Sequence, residues 1–159
     1  MINTYENVLS MKESENLYNT ITDNHNFPWY FNKGSTDRKD GRQQYTHLLT
    51  DYTIIVPLLD YLKRKEKLTG IMRARLVSKP KQSTHYEYVP HTDIPDYNEP
   101  YRTAVYYINK TNGGTKVNDV IHKGIQNYMT VFDGNVKHSA IAQTDVDFRF
   151  VCNINFITT

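Results

Sequence analysis

The sequence predicts an α+β fold, mainly β, with helices packed on the outer face of one antiparallel sheet. Two observations carry that prediction. Helical spacing of apolar residues is confined to roughly the first 69 positions, and short β-type runs bounded by turn residues fill the remainder. A third sharpens it: Phe148, Phe150, Cys152, Ile154 and Phe156 alternate with Arg149, Val151, Asn153 and Asn155. One strand face is therefore apolar while the other carries an arginine and two amides, which is what a barrel with a site inside would show.

The 159 residues suffice for one buried core and suggest a single domain, with 1–69 as helical and aromatic support and 70–159 as the β core. Thirteen tyrosines against one tryptophan favour strands. A net charge of +2 gives no argument for nucleic acid or a membrane surface. No apolar run approaches the roughly 20 residues needed to cross a bilayer, and the N-terminus lacks the pattern of a signal peptide. A soluble, cytoplasmic protein is expected. Cys152 is the only cysteine, which excludes an internal disulfide.

In chain order, residues 12–22 place Leu17 and Ile21 one turn apart and predict a short amphipathic helix. Phe27-Pro-Trp-Tyr-Phe31 reads as an extended aromatic plug, followed by a polar loop over 32–43. Ile55, Leu58, Leu59 and Leu62 predict the main helix over 54–67, with Pro57 in its first turn, Gly70 beyond its end and the Lys63–Lys67 run as a solvated end. Strands are expected over 71–78, 85–93, 102–109, 126–132 and 148–157. Turn chemistry at Asn112-Gly113-Gly114 and Asp133-Gly134 separates several of them.

His91 and Asp93 stand two apart, so a strand through them would turn both side chains to one face. About 0.4 such pairs are expected by chance in this composition, so the pair needs partners. His138, 47 residues on and just after the Asp133-Gly134 turn, is placed to arrive on a later strand. Two imidazoles and a carboxylate on one face of an octahedral ion leave the other face open, as non-haem Fe(II) chemistry requires. Arg149 has the parity to aim a guanidinium into the same cavity, where it can bind a carboxylate through two charge-assisted hydrogen bonds. Tyr107 lies on the intervening strand with its hydroxyl in reach of that carboxylate.

His91-Thr-Asp93, Arg102-Thr-Ala-Val-Tyr-Tyr-Ile-Asn109, Gly113-Gly-Thr115, Phe132-Asp-Gly-Asn-Val-Lys-His138 and Arg149, in this order and spacing, resemble the Fe(II)- and 2-oxoglutarate-dependent dioxygenases over about residues 71–157. The resemblance is to the prolyl 4-hydroxylase-like branch, and Asn26-Phe-Pro-Trp-Tyr-Phe31 looks like the opening of short phage and bacterial members. It implies a double-stranded β-helix, a distorted jelly roll. It further implies iron on His91, Asp93 and His138, with the distal carboxylate of 2-oxoglutarate on Arg149 and Tyr107. Molecular oxygen would be consumed, and oxidative decarboxylation to succinate would be coupled to hydroxylation of a peptide, protein or small molecule, a prolyl residue being one candidate. The first core strand, 72–79, lacks the tyrosine some members place against the co-substrate, leaving Arg75, Tyr86 or Tyr88 as substitutes.

Blander assignments are also open. Arg149 could pair with a structural aspartate such as Asp133, and Tyr106 should pack on the opposite face from Tyr107. His25, His47 and His122 read as solvated, with His85 at a strand start. Two rival functions remain, a cupin-like metal isomerase and a non-catalytic jelly-roll binding module.

Overall fold

The computed structural model describes residues 1–34 and 42–159, so residues 35–41 of the expected polar loop lie outside the described residues. In chain order the elements are β1 (Ile2–Tyr5), α1 (Met11–Thr22), β2 (Tyr30–Asn32), β3 (Gln44–Leu48), a 3-10 turn (Thr53–Ile55) leading into α2 (Val56–Glu66), and the long β4 (Leu68–Pro80). There follow β5 (Arg102–Tyr107), β6 (Gly114–Val117), β7 (Val120–Lys123), β8 (Tyr128–Asp133), β9 (His138–Ile141) and β10 (Phe148–Thr158). Seven strands form one antiparallel sheet in the order β1-β8-β5-β10-β4-β3-β2, and three form a smaller sheet, β7-β6-β9. The mainly β jelly roll with helices outside is the architecture expected of a double-stranded β-helix.

α1 starts where Ser10 and Glu13 close a capping box: Glu13 N–H donates to Ser10 Oγ at 3.2 Å, and Ser10 N–H donates to Glu13 Oε2 at 2.9 Å. The helix then lays Leu17 and Ile21 onto the large sheet. α2 carries Pro57 in its first turn, where no N–H is needed, and stops at Lys67 in the left-handed region, φ 54°. Its basic last turn complements the helix dipole, while Glu66 turns inward to accept hydrogen bonds from Asn3 at 2.7 Å and Tyr5 at 2.6 Å. Those bonds tie β1 to the helix.

Two apolar layers result. Leu58, Leu59 and Leu62 of α2 pack with Ala74, Leu76, Tyr106, Ile154 and Phe156 on the outer face, with Phe27 and Trp29 sealing one side. Val77, Val105, Tyr107, Val117, Phe132 and Val151 fill the space between the sheets. Adjacent residues of β5 and β10 thus divide between the two layers, as their alternation requires.

Three expectations change. The first 69 residues supply three strands as well as both helices: β1 and β3 are short and largely polar and take their register from a partner, and β2 continues the extended aromatic segment as an edge strand paired with β3. The run 85–93 is not a continuous strand: it touches β9 through Tyr88 N–H to Ala140 O at 2.9 Å and a reciprocal His91–His138 pair. Pro90 interrupts it by removing a ladder donor. β6 and β7 form an unforeseen hairpin whose turn residues Asn118 and Asp119 have φ 48° and 63°, the pattern Asn and Asp tolerate. Gly134 lies in the expected turn, and what it contributes is steric: a Cβ there would lie 2.1 Å from the Tyr101 ring. Among the described residues no helix is long and apolar enough to cross a membrane.

Candidate metal centre

His138 opens β9, and its backbone exchanges two 3.0 Å hydrogen bonds with that of His91. That pairing sets the imidazoles side by side, centroids 4.8 Å apart. Asp93 completes the group. Ligand atoms of His91, Asp93 and His138 all lie within 4.8 Å of one another, with each Nε2 3.7 Å from a different Asp93 oxygen.

The tautomers are set by the backbone. His91 Nδ1 lies 3.1 Å from Val89 O, and His138 Nδ1 lies 3.2 Å from Val136 O. A carbonyl only accepts, so each Nδ1 carries the proton and each Nε2 presents a lone pair to the centre. Burial lowers the His138 pKa, opposed in part by Asp93, and so favours the neutral ring that a metal needs.

Asp93 is held from several sides. Asn153 and Asn155 each donate to Oδ2 at 3.0 Å, and Arg73 and Arg75 each place a nitrogen 3.3 Å from Oδ1. Burial alone would raise its pKa, but His91, His138, Arg75 and Asn155 overcome that and hold the carboxyl well below the usual carboxylate range.

The β4–β10 register explains the wall behind the triad. Arg149 lies opposite Lys79, Val151 opposite Val77, Asn153 opposite Arg75 and Asn155 opposite Arg73. Along one face the wall runs from cations, through valines, to amides and guanidiniums. A narrow cavity of about 60 Å³ runs along it, lined by His91 and His138 and also by Tyr88, Lys79, Val151 and Arg149.

Arg149 is 3% exposed. Its Nη2 donates to Thr115 Oγ1 at 3.1 Å, while its Nε has no hydrogen-bond partner among the described residues. Asp133 is not its counter-ion, being engaged by the N-terminal amine at 2.7 Å and by Arg102 at 3.5 Å. Burial pushes the Arg149 pKa down. A buried guanidinium satisfied mainly by one hydroxyl is costly to the fold.

Tyr107 does not line this cavity. Its ring lies 5.8 Å from the Arg149 guanidinium, and its hydroxyl is directed at His122 O, 3.4 Å away. Tyr88 lines it instead, with its buried Oη making no hydrogen bond of good geometry among the described residues. Lys79 sits with Nζ 4.0 Å over the Tyr88 ring and 3.0 Å from Gln44 Oε1. Tyr106 packs outside, its hydroxyl on Asn127 at 3.0 Å, as parity required. Of the other histidines, His25 is exposed, but His47 is packed against Phe27 with Nδ1 3.0 Å from Pro28 O, and His122 is half-buried on β7. Sequence reasoning missed Arg73 and Lys79, whose signal was the odd-numbered face of β4, and could not see that Asn153 and Asn155 converge on Asp93.

No family model matches the sequence, and no curated protein matches it. Solved structures do match. A prolyl hydroxylase from Trichoplax adhaerens, in complex with a hypoxia inducible factor oxygen degradation domain peptide fragment, superposes with a TM-score of 0.70 at 14% identity, over 98% of this chain and 83% of that one. A Pseudomonas putida prolyl-4-hydroxylase gives 0.65 at 12% identity, covering 99% and 92%. The epimerase SnoN in complex with Fe3+, alpha ketoglutarate and nogalamycin RO gives 0.66 at 9% identity, covering 99% and 78%. The chain therefore has the double-stranded β-helix fold of the iron- and 2-oxoglutarate-dependent oxygenases, prolyl hydroxylases among them.

Proposed function

We propose that the whole chain is one Fe(II)- and 2-oxoglutarate-dependent oxygenase domain that hydroxylates a peptide, protein or small molecule, a prolyl residue being one candidate. The observation that carries this is that two of the three converging ligand side chains, His91 and His138, line the same cavity as a buried arginine that lacks a counter-ion among the described residues, with Asp93 closing the group behind them. His91, Asp93 and His138 would hold the metal through two neutral nitrogens and one carboxylate, leaving the remaining positions open. Iron and 2-oxoglutarate, when bound, would supply oxidising power by decarboxylation to succinate in the presence of oxygen.

The chain's own residues do the rest. Asn153 and Asn155 fix the Asp93 carboxylate by donating to one oxygen. Arg149, with Thr115 beside it, would bind the far carboxylate of the co-substrate, and Val77, Val105 and Val151 would cover its methylenes and exclude water. Tyr88 faces the same space. Tyr107 we assign to backing the guanidinium.

Under anaerobic conditions Fe(II) plus 2-oxoglutarate should give a weak visible charge-transfer band, lost in Asp93→Ala and weakened in Arg149→Ala. Succinate release across candidate substrates, with mass spectrometry seeking one added oxygen, tests turnover. Ligand binding that ignores both metal and these substitutions would support a binding module instead.

A further inference from the structure

The triad lies between two cavities. His91 and Arg75 line the inner one and also an outer one of about 470 Å³, whose wall includes Arg73, Asp93, Pro95 and Lys137. Through Arg73, Asp93 and Pro95 the outer cavity adjoins a third, of about 460 Å³, lined by Leu48, Leu49, Tyr52, Met72 and Ile94. The surface beside the triad is thus cationic at one end and apolar at the other.

Its charge is unbalanced. Arg73, Arg75 and Lys137 face a single carboxylate, Asp93, whose Oδ2 already accepts from two asparagines. The nearest acids in sequence, Asp96 and Glu99, are exposed and line none of these cavities. Arg73 Nη2 and Arg75 Nε are buried and make no hydrogen bond among the described residues, although Arg73 Nη2 lies at ion-pair distance from Asp93. A divalent ion on Asp93 would compete for that charge and deepen the excess.

Building on the oxygenase reading of this site, we infer that its primary substrate is anionic. It presents a phosphate or carboxylate to Arg73 and Lys137 and lays an apolar portion along Leu49, Tyr52 and Ile94. Arg73 Nε donates to Asn155 Oδ1 at 3.1 Å and its Nη2 faces Asp93, so the oxyanion would meet the outer end of the guanidinium, with the Lys137 ammonium beside it. The anion has its own site on the outer side of the triad, apart from Arg149.

Phenyl phosphate, benzoate and benzyl alcohol are the probes, titrated anaerobically into protein loaded with Fe(II) and 2-oxoglutarate. Calorimetry reads binding, and the charge-transfer band reads whether the co-substrate stays in place. At least one anion should bind about tenfold or more tightly than benzyl alcohol, with the band retained. The tighter of the two identifies phosphate or carboxylate. Arg73→Gln should weaken that anion about tenfold, Arg73→Lys should recover part of the loss, and Lys137→Gln, at an exposed position, should weaken it without risk to folding. Equal affinity for benzyl alcohol, indifference to both glutamine substitutions, or displacement of 2-oxoglutarate by the anion would overturn the inference. Absence of the band in the unaltered protein would instead defeat the oxygenase reading on which it rests.

Discussion

Arg149→Met should make the ligand-free protein more stable and deprive it of its co-substrate. The guanidinium is 3% exposed, and its one described hydrogen bond is to Thr115 at 3.1 Å. Replacing a buried, poorly compensated charge by an apolar side chain of similar length is commonly neutral or stabilising by about 1–4 kcal/mol. Leaving the Thr115 hydroxyl without its donor costs back about 0.5–1.5 kcal/mol. The net gain is about 1 kcal/mol, a rise in Tm of roughly 2–4 °C for a chain of this size. Binding moves the other way. Two charge-assisted hydrogen bonds to one carboxylate contribute about 3–5 kcal/mol together, so 2-oxoglutarate should bind at least about a hundredfold more weakly. Thermal melts in EDTA, repeated with Mn(II) and with Mn(II) plus 2-oxoglutarate, read both effects. The variant should melt higher alone, respond to Mn(II) as the unaltered protein does, and lose the added shift from 2-oxoglutarate. Undiminished stabilisation by 2-oxoglutarate would refute the assignment of Arg149, and a fall in Tm of several degrees in EDTA would refute the idea that its charge is uncompensated.

Asp93→Ala should abolish metal binding and also destabilise the metal-free protein by about 3–5 kcal/mol, since it leaves Arg73, Arg75, Asn153 and Asn155 facing an empty space; an unchanged urea midpoint in EDTA would contradict this. The Cys152 thiol, fully buried and pushed up to about 12 by burial, stays protonated through pH 9. It should therefore resist iodoacetamide at pH 8 in the folded protein and react promptly in urea; rapid labelling of folded protein would show otherwise. Gly134→Ala should destabilise by more than 1 kcal/mol, because its Cβ would meet the Tyr101 ring and disturb the 2.7 Å bond from the Tyr101 hydroxyl to the carbonyl of residue 134. A melting temperature unchanged by that substitution would mean the turn relaxes freely.

The amino-acid order alone settled what depends on local periodicity. The leucines of α2, the alternation of β10 and the turn at Asp133-Gly134 could be read directly, because a strand's two faces and a helix's stripe are properties of a few consecutive residues. So could the chemistry on offer at His91, Asp93, His138 and Arg149, since it belongs to side chains whatever the fold; their use as a metal and co-substrate site is what the variants above test. What depends on partners could not be read. β1 and β3 have too little apolar pattern to announce themselves, and the extended aromatic segment ending at Phe31 gave no sign that it would pair; all three exist as strands because the sheet pairs with them. Tyr107 and Tyr88 both looked able to reach the co-substrate, and only the packing of β5 behind Arg149 and of the 85–91 segment along β9 separates them. The ring of donors around Asp93 comes from β4 and β10, 18 to 62 residues away along the chain. Tertiary pairing decides such contacts, because the register between distant strands is fixed by the whole core and not by any local stretch.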